Sequence, residues 1–383
     1  MTYVSLKYKI SANAERAVSG EMIVMEKEIM DSFKKNIQNL FEPIDFIKVN
    51  SIKTEIANFF PNKQVQPDLI MEIRTEDKKK YFIIFEVKSE GQPRFARMAV
   101  NQLKYMVNNK KNYYGVFAAT FISKESKQIC NENGIGFIDL AGNCLFKFDN
   151  IYISIEGRPN LYPNTRPLKS IFSPKSTRAL RVFLSNPKKE WFVKDIAKEA
   201  KISLGQASNI KQRLLEYEFV EMTGSGKNLK IRLNKAESLL EEWSKNYTYQ
   251  KNKIRNFYSM DKVEVLERKL VDYFQDNQIT YALTLTSGAS RVAPFLRYKR
   301  IFTYVNNNID RIAKDLNFKE VSTGPNISFL EPYDEGILYY LQEINGAKVV
   351  SNIQLYLDLK SYLKRGEEAA EFLLEKRLKK QWQ

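Results

Sequence analysis

Pro67-Asp68-Leu69-Ile70 and, beyond the polar turn Glu76-Asp77-Lys78-Lys79, Ile83-Ile84-Phe85-Glu86-Val87-Lys88 decide how the N-terminal part of this chain is read. Side chains alternate across a strand, so Glu86 and Lys88 share one face while Phe85 and Val87 take the other. The turn lies midway between Asp68 and Val87. An antiparallel hairpin about it sets Asp68 against the Glu86–Lys88 stretch, where directly paired Cβ atoms sit roughly 4.5–5.5 Å apart. Two carboxylates and one ammonium are therefore expected to converge at the end of a hairpin. An exposed ion pair, worth ~0–1 kcal/mol, would account for Glu-x-Lys alone. The apolar run Ile83-Ile84-Phe85 makes this strand a buried one, and charges at its end mark a site.

That set of groups suits phosphodiester hydrolysis, which needs a Lewis acid beside the phosphate and a polarised water. Asp68 and Glu86 offer hard oxygen ligands to Mg²⁺, with Mn²⁺ as an alternative, and the backbone carbonyl of Val87 is a further candidate ligand. Lys88 can orient the attacking water or stabilise charge developing on phosphorus. None of these roles needs histidine, and the chain has none. Its absence excludes Ser-His-Asp and Cys-His catalysis and imidazole-bound zinc. Two cysteines, Cys130 and Cys144, are too few for a disulfide framework or a four-Cys zinc site.

Working outward, residues 1–160 alternate helical and extended segments. The periodicity predicts a helix over Glu21–Phe41, strands near Asp45–Ile52, Asp68–Arg74 and Tyr81–Lys88, and a helix over Arg94–Asn108. A strand at Tyr113–Thr120, a helix at Lys124–Asn133 capped by Ser123, and strands at Gly136–Asp139 and Cys144–Phe148 follow. Strands interleaved with helices give an α/β domain. Gly157 to Pro167, with three prolines and a glycine, reads as a linker. Residues 168–247 read as helices followed by a short hairpin, and residues 250–383 as a C-terminal α/β domain.

The 383 residues are 43% hydrophobic, enough for real cores, and carry 61 Lys and Arg against 45 Asp and Glu, a net charge of +16. That balance favours a polyanionic partner, nucleic acid first, although a lysine-rich composition inherited from an AT-rich genome would give the same sign. The first residues, Met1 to Lys7, lack the apolar core of a signal peptide, and no stretch reaches the ~18 apolar residues of a membrane span. A cytoplasmic location is expected.

Pro67-Asp68 with Glu86-Val87-Lys88 resembles the PD-(D/E)xK motif of the restriction-endonuclease-like superfamily. The downstream helix holds Asn101-Gln102-Leu103, and the resemblance implies that Gln102 positions the nucleophile or phosphate. It also implies an acidic metal ligand on the first helix, Glu26 or Glu28. Arg94, Arg97 and Lys104 lie within one helix and could track a phosphate backbone; a solvated helix face is the other reading of the three.

Ser173-Pro174 opens a helix by the cap-then-proline rule. Trp191 to Ala200 and Gln206 to Leu215 then form two helices around the turn Lys201-Ile202-Ser203-Leu204-Gly205. Phe219-Val220-Glu221-Met222 and Leu229-Lys230-Ile231-Arg232-Leu233 make a two-stranded hairpin. The pattern resembles the winged helix-turn-helix family, in which the second helix enters the major groove and the wing grips the backbone. Ser203, Gln206, Ser208, Asn209, Lys211, Gln212 and Arg213 are the candidate contacts to base edges and phosphates, and Lys227 and Lys230 the wing contacts. A winged helix used for protein docking is the alternative.

In the C-terminal region, Tyr281 to Ser290 followed by Arg300 to Val305 is similar in outline to nucleotidyltransferase-like folds. Thr303, Tyr304 and Val305 stand where that family carries its metal-binding acids, so no nucleotidyl transfer is expected. Taken whole, the chain resembles the AbiEi-type antitoxin and transcriptional-regulator family of type IV toxin–antitoxin systems. The carrying pieces are Gly134 to Asn143, the winged helix, Leu355-Tyr356-Leu357-Asp358-Leu359-Lys360 and Arg365-Gly366-Glu367-Glu368-Ala369-Ala370. That resemblance implies operator binding and autoregulation, with a toxin or defence-system protein as partner and a homodimer left open. Two functions stand side by side: a Mg²⁺-dependent DNA endonuclease targeted by its winged helix, with phage defence as the setting the reading suggests, and a non-catalytic DNA-binding repressor and antitoxin.

Overall fold

The computed structural model describes residues 30–54, 66–108, 110–160, 171–293, 298–306, 308–362 and 366–382. The chain divides into two compact units, Met1–Thr165 and Arg166–Gln383.

The first unit is an α/β sandwich. A helix over residues 30–41 (α1) precedes strands β1 (Ile47–Thr54), β2 (Leu69–Thr75) and β3 (Lys80–Lys88). Helix α2 (Pro93–Val107), β4 (Tyr113–Ala119), α3 (Lys124–Glu132), β5 (Gly136–Asp139), β6 (Cys144–Phe148) and β7 (Ile151–Ile155) follow. All seven strands lie in one sheet in chain order. Pairing is antiparallel from β1 to β3, parallel from β3 to β5 and antiparallel from β5 to β7. The strand β7 falls between the last strand read from the sequence, Cys144–Phe148, and the linker that begins at Gly157, in a stretch where the sequence predicts no element. Its alternation is that of a half-buried edge strand, with Ile151 buried and Tyr152 exposed.

Alternation along β2 and β3 feeds two apolar layers. Leu69, Met71, Ile83 and Phe85 pack with Phe33, Ile37 and Phe41 of α1. Ile70 and Ile84 pack on the opposite face with Ala96, Ala99 and Leu103 of α2. Residues in step with Ile70 and Ile84, which include Asp68, Glu86 and Lys88, therefore belong to the α2 face. Ser123 caps α3 by accepting from the Ser126 N–H, and Gly134, at φ 68°, ends that helix region in the left-handed conformation glycine tolerates best.

The second unit opens with α4 (Pro174–Ser185), α5 (Val193–Glu199), α6 (Leu204–Glu216), the hairpin β8 (Val220–Thr223) and β9 (Lys230–Leu233), and α7 (Ala236–Ser244). It continues through β10 (Lys253–Tyr258), α8 (Val263–Asp276), β11 (Tyr281–Leu283), α9 (Leu285–Val292), β12 (Ile301–Val305), α10 (Ile309–Asp315), β13 (Lys319–Glu320), β14 (Ile327–Glu331), β15 (Gln342–Ile344), β16 (Ala347–Val349), α11 (Asn352–Lys360) and α12 (Gly366–Leu373). Its larger sheet has the order β13-β10-β14-β12-β11-β16-β15.

The sequence separates residues 168–247 from 250–383, whereas here the two share one hydrophobic core, from Phe183 and Trp243 to Leu283 and Leu355. A buried polar chain runs through the same junction. Arg181 of α4 stacks on Trp243, 4.8 Å from its ring centre, and donates to Gln354 Oε1 of α11 at 2.5 Å. Gln354 in turn donates to Asp358 at 2.8 Å. Asp358 also accepts from the hydroxyls of Tyr247, Tyr304 and Thr284. The start of α9 is covered by the same helix: Thr284, Leu285 and Ser287 are buried, and Gly288 lies against Leu355.

Candidate functional site

The turn that joins β2 to β3 places Lys78 at φ 62°, and the strands zip from there with Leu69 opposite Phe85. Continuing that register by one residue sets Asp68 opposite Glu86. The end of the hairpin is closed by two hydrogen bonds: the Asp68 N–H donates to the Phe85 carbonyl at 3.1 Å, and the Val87 N–H donates to Asp68 Oδ2 at 2.7 Å. For Val87, named for its carbonyl, the contact defined here is thus its N–H, which fixes the neighbouring carboxylate.

Glu86 is only 2% exposed, and its carboxylate pairs with the Lys88 ammonium. Burial pushes the Glu86 carboxyl above its ordinary pKa, the negative charge of Asp68 pushes it further, and Lys88 pulls the other way. The two acids and the amine are therefore together, and the acids repel. Gln102, on α2, has its side-chain oxygen buried with no hydrogen-bond partner. An orphaned acceptor of this kind is costly unless something absent from the protein itself completes it. Arg94, Arg97 and Lys104 are exposed along α2, and Lys104 donates to Asn133 Oδ1 at 2.8 Å.

Glu26 and Glu28 lie outside the described residues. Among the described residues no group of three or more His, Cys, Asp or Glu side chains is gathered to hold a metal ion. A cavity of about 420 Å³ lies elsewhere in this unit, lined by Asn36, Leu40, Ile138, Gly142 and Arg158; neither acid nor Lys88 lines it.

In the second unit, α5 and α6 are joined by a tight turn in which Lys201 has φ 51°. Ala207, Ile210 and Leu214 hold α6 to the core. Ser203 caps the helix, accepting from the Gln206 N–H at 3.2 Å, while Gln206 Oε1 accepts from the Ser203 N–H at 3.5 Å. Both side chains, named among the candidate contacts to base edges and phosphates, thus help to start the helix. The spacing Ser203-Leu204-Gly205-Gln206 is the capping-box signature, so the sequence held that signal. Asn209 and Gln212 are exposed, and Ser208 and Lys211 half-buried.

Glu216, which sequence reading passed over, accepts from Gln212 Nε2 at 3.2 Å and Arg213 Nη1 at 2.8 Å. Its position four residues after Gln212 and three after Arg213 on a helix is the signal that could have found it. In the hairpin, Lys227 is exposed, whereas Lys230 pairs with Glu190 at 3.5 Å. Trp191 and Ile231 exchange two backbone hydrogen bonds at 2.8 Å, which adds a short third partner to the hairpin.

No helix among the described residues is long and apolar enough to cross a membrane. No curated protein matches the chain. Among solved structures, a repair endonuclease from Pyrococcus abyssi is similar at 10% identity over 28% of this chain and 46% of its own, with a TM-score of 0.20. EndoMS in its apo form is similar at 13% identity over 35% of this chain and 48% of its own, with a TM-score of 0.18. The matches cover about half the length of each of those proteins, and at such TM-scores neither likeness carries structural weight. The C-terminal sequence is more telling: residues 232–379, which begin within β9, after α5 and α6, and include Asp358, match the family model described as transcriptional regulator, AbiEi antitoxin, type IV TA system.

Proposed function

We propose that this chain is a DNA-binding protein whose first unit hydrolyses phosphodiester bonds at a PD-(D/E)xK site and whose second unit carries a winged helix-turn-helix that brings it to duplex DNA. The observation that carries the nuclease reading is the meeting of Asp68, Glu86 and Lys88 at one hairpin end, with Glu86 buried against a second acid. A buried carboxylate whose pKa is raised by burial and by a second acid at a strand end is suited to a cation. Asp68 and Glu86 would hold Mg²⁺ or Mn²⁺, with the Val87 carbonyl as a further ligand. The ion would supply a Lewis acid and a water of lowered pKa.

The chain's own residues do the rest. Asp68 is fixed by the Val87 N–H, so its second oxygen is held in a set direction. Lys88 keeps its ammonium beside Glu86 and offers positive charge to the phosphate oxygens as charge builds on them. Gln102 presents its buried acceptor to the attacking water. Arg94, Arg97 and Lys104 give the backbone an exposed cationic track along α2.

A second reading is favoured by the match over residues 232–379: a repressor and antitoxin that binds its operator without cutting it and meets a toxin or defence-system protein. A cytoplasmic protein acting in phage defence accommodates both.

Plasmid incubated with the wild-type chain and Mg²⁺ tests the two together. Nicking that disappears in EDTA and in Lys88→Ala supports the nuclease. Retention of operator-sized duplex with no cleavage in either Mg²⁺ or Mn²⁺ supports the repressor.

A further inference from the structure

From Gly91 to Lys124 the chain holds no aspartate or glutamate, while Arg94, Arg97, Lys104, Lys110, Lys111 and Lys124 fall within the stretch. The nearest acids in sequence, Glu90 and Glu125, stand one beyond each end of it. Helix α2 lies in this stretch. Ala96, Ala99, Leu103 and Met106 hold it to the core. On the opposite side, Arg94, Met98, Asn101 and Tyr105 fall in one line down the helix, and Arg97 and Lys104 run beside them. All six are exposed, Met98 by 48% and Tyr105 by 60%. Lys104 leans onto Asn133 Oδ1, a neutral acceptor, so its charge is not offset there. The line from Arg94 to Tyr105 is about 16 Å long, enough for a few nucleotides.

Duplex and unpaired DNA ask different things of such a face. A duplex turns phosphates and sugars outward and keeps the faces of its bases stacked inside, so cations alone would serve it. An unpaired strand also bares the faces of its bases, and proteins that hold one set aromatic side chains among cations. An exposed tyrosine and methionine in line with an arginine, on a helix without an acid, match the second demand.

We propose that the outward face of α2 binds an unpaired DNA strand, with one base stacked on Tyr105, another against Met98, and phosphates along Arg94, Arg97 and Lys104. Arg94 follows Lys88 by six residues, a reach of at most about 21 Å, so the track begins near the hairpin end. The substrate class is then DNA with a single-stranded arm, such as a fork, flap or gap. This inference rests on the reading of the first unit as one that acts on DNA.

The test is fluorescence polarisation of a labelled oligothymidylate of about 15 nucleotides, and of a labelled duplex of equal length, with the full-length chain in EDTA. Both should bind. Tyr105→Ala should weaken oligothymidylate binding about tenfold, the scale of one stacked base, and leave the duplex unchanged. Tyr105→Phe, which keeps the ring, should bind like wild type. Lys104→Ala should lower the salt slope for oligothymidylate by about 0.7. Both side chains are exposed, so none of these variants opens the core. Duplex binding without oligothymidylate binding, or an equal loss on both DNAs in Tyr105→Ala, overturns the inference while leaving DNA binding intact. Tighter binding of oligouridylate than of oligothymidylate overturns the assignment to DNA. Tyr105-dependent binding with no Mg²⁺-dependent cleavage supports the inference and contradicts the nuclease reading alone. Failure to bind either DNA overturns the DNA-binding reading, and the inference falls with it.

Discussion

Glu86 and Asp358 are both carboxylates removed from water, one in each unit, and their surroundings differ in kind. Asp358 accepts from Tyr247, Tyr304, Thr284 and Gln354, so its oxygens are met on every side by neutral donors. Glu86 has one ammonium and faces a second acid. A buried acid wrapped in donors holds a fold together. Glu86, a buried acid beside another negative charge, is instead balanced by the one ammonium of Lys88. On the proposed reading, the hairpin end of the first unit receives a cation, while the polar chain of the second unit ties α4 to α11.

The sharpest way to break this contrast is to neutralise each site. Lys88→Ala and Glu86→Gln should each reduce Mg²⁺-dependent plasmid nicking by about a hundredfold or more while the chain stays folded, read by gel and circular dichroism. Asp358→Ala should do the reverse. Leaving four donors unmet in a dry core should cost about 3 kcal/mol or more, seen as a lower denaturation midpoint of the second unit, with no direct effect on chemistry at the hairpin. If Asp358→Ala were neutral to stability and Glu86→Gln unfolded the chain, the two roles would have been assigned the wrong way round.

Smaller effects sharpen the same comparison within the reader. Lys227→Ala should weaken duplex binding and flatten its salt dependence by about one counterion. Arg213→Ala should do less, because Arg213 is already paired with Glu216. Equal salt slopes in the two variants would contradict this.

The smallest effect is a pH slope. Burial pushes Asp358 up to about 6 from an ordinary 3.8, so the folded state binds its proton more tightly than the unfolded chain. Its contribution to stability is present below 3.8 and is lost as the pH rises through about 6. Asp358→Asn should flatten the change in melting temperature across that window. Glu86 is raised in the same direction, so its ionised form costs stability at neutral pH. Glu86→Gln should therefore raise the melting temperature there, by less as the pH approaches the ordinary 4.5.

The hairpin was legible in the sequence because its two informative signals are local: alternation places Glu86 and Lys88 on one face, and the turn at Glu76–Lys79 brings Asp68 to them. The merging of residues 168–247 with 250–383 was not legible. Arg181 and Gln354 lie 173 positions apart, and no periodicity reports a contact at that distance. Strand β7 was hidden by the glycine and prolines that follow it. Ser203 and Gln206 also carried the capping-box signal, which sequence reading did not use. Glu216 was missed because an acid on a helix read as a DNA contact matched none of the expected contacts.

The central claim is that Asp68 and Glu86 together demand a divalent ion, and calorimetric titration of Mg²⁺ and Mn²⁺ into the full chain measures that demand directly. Saturable binding in the wild type, accompanied by a rise in melting temperature and lost in Asp68→Asn and Glu86→Gln, is the predicted result. No binding in the wild type, or binding that both variants keep, would contradict it.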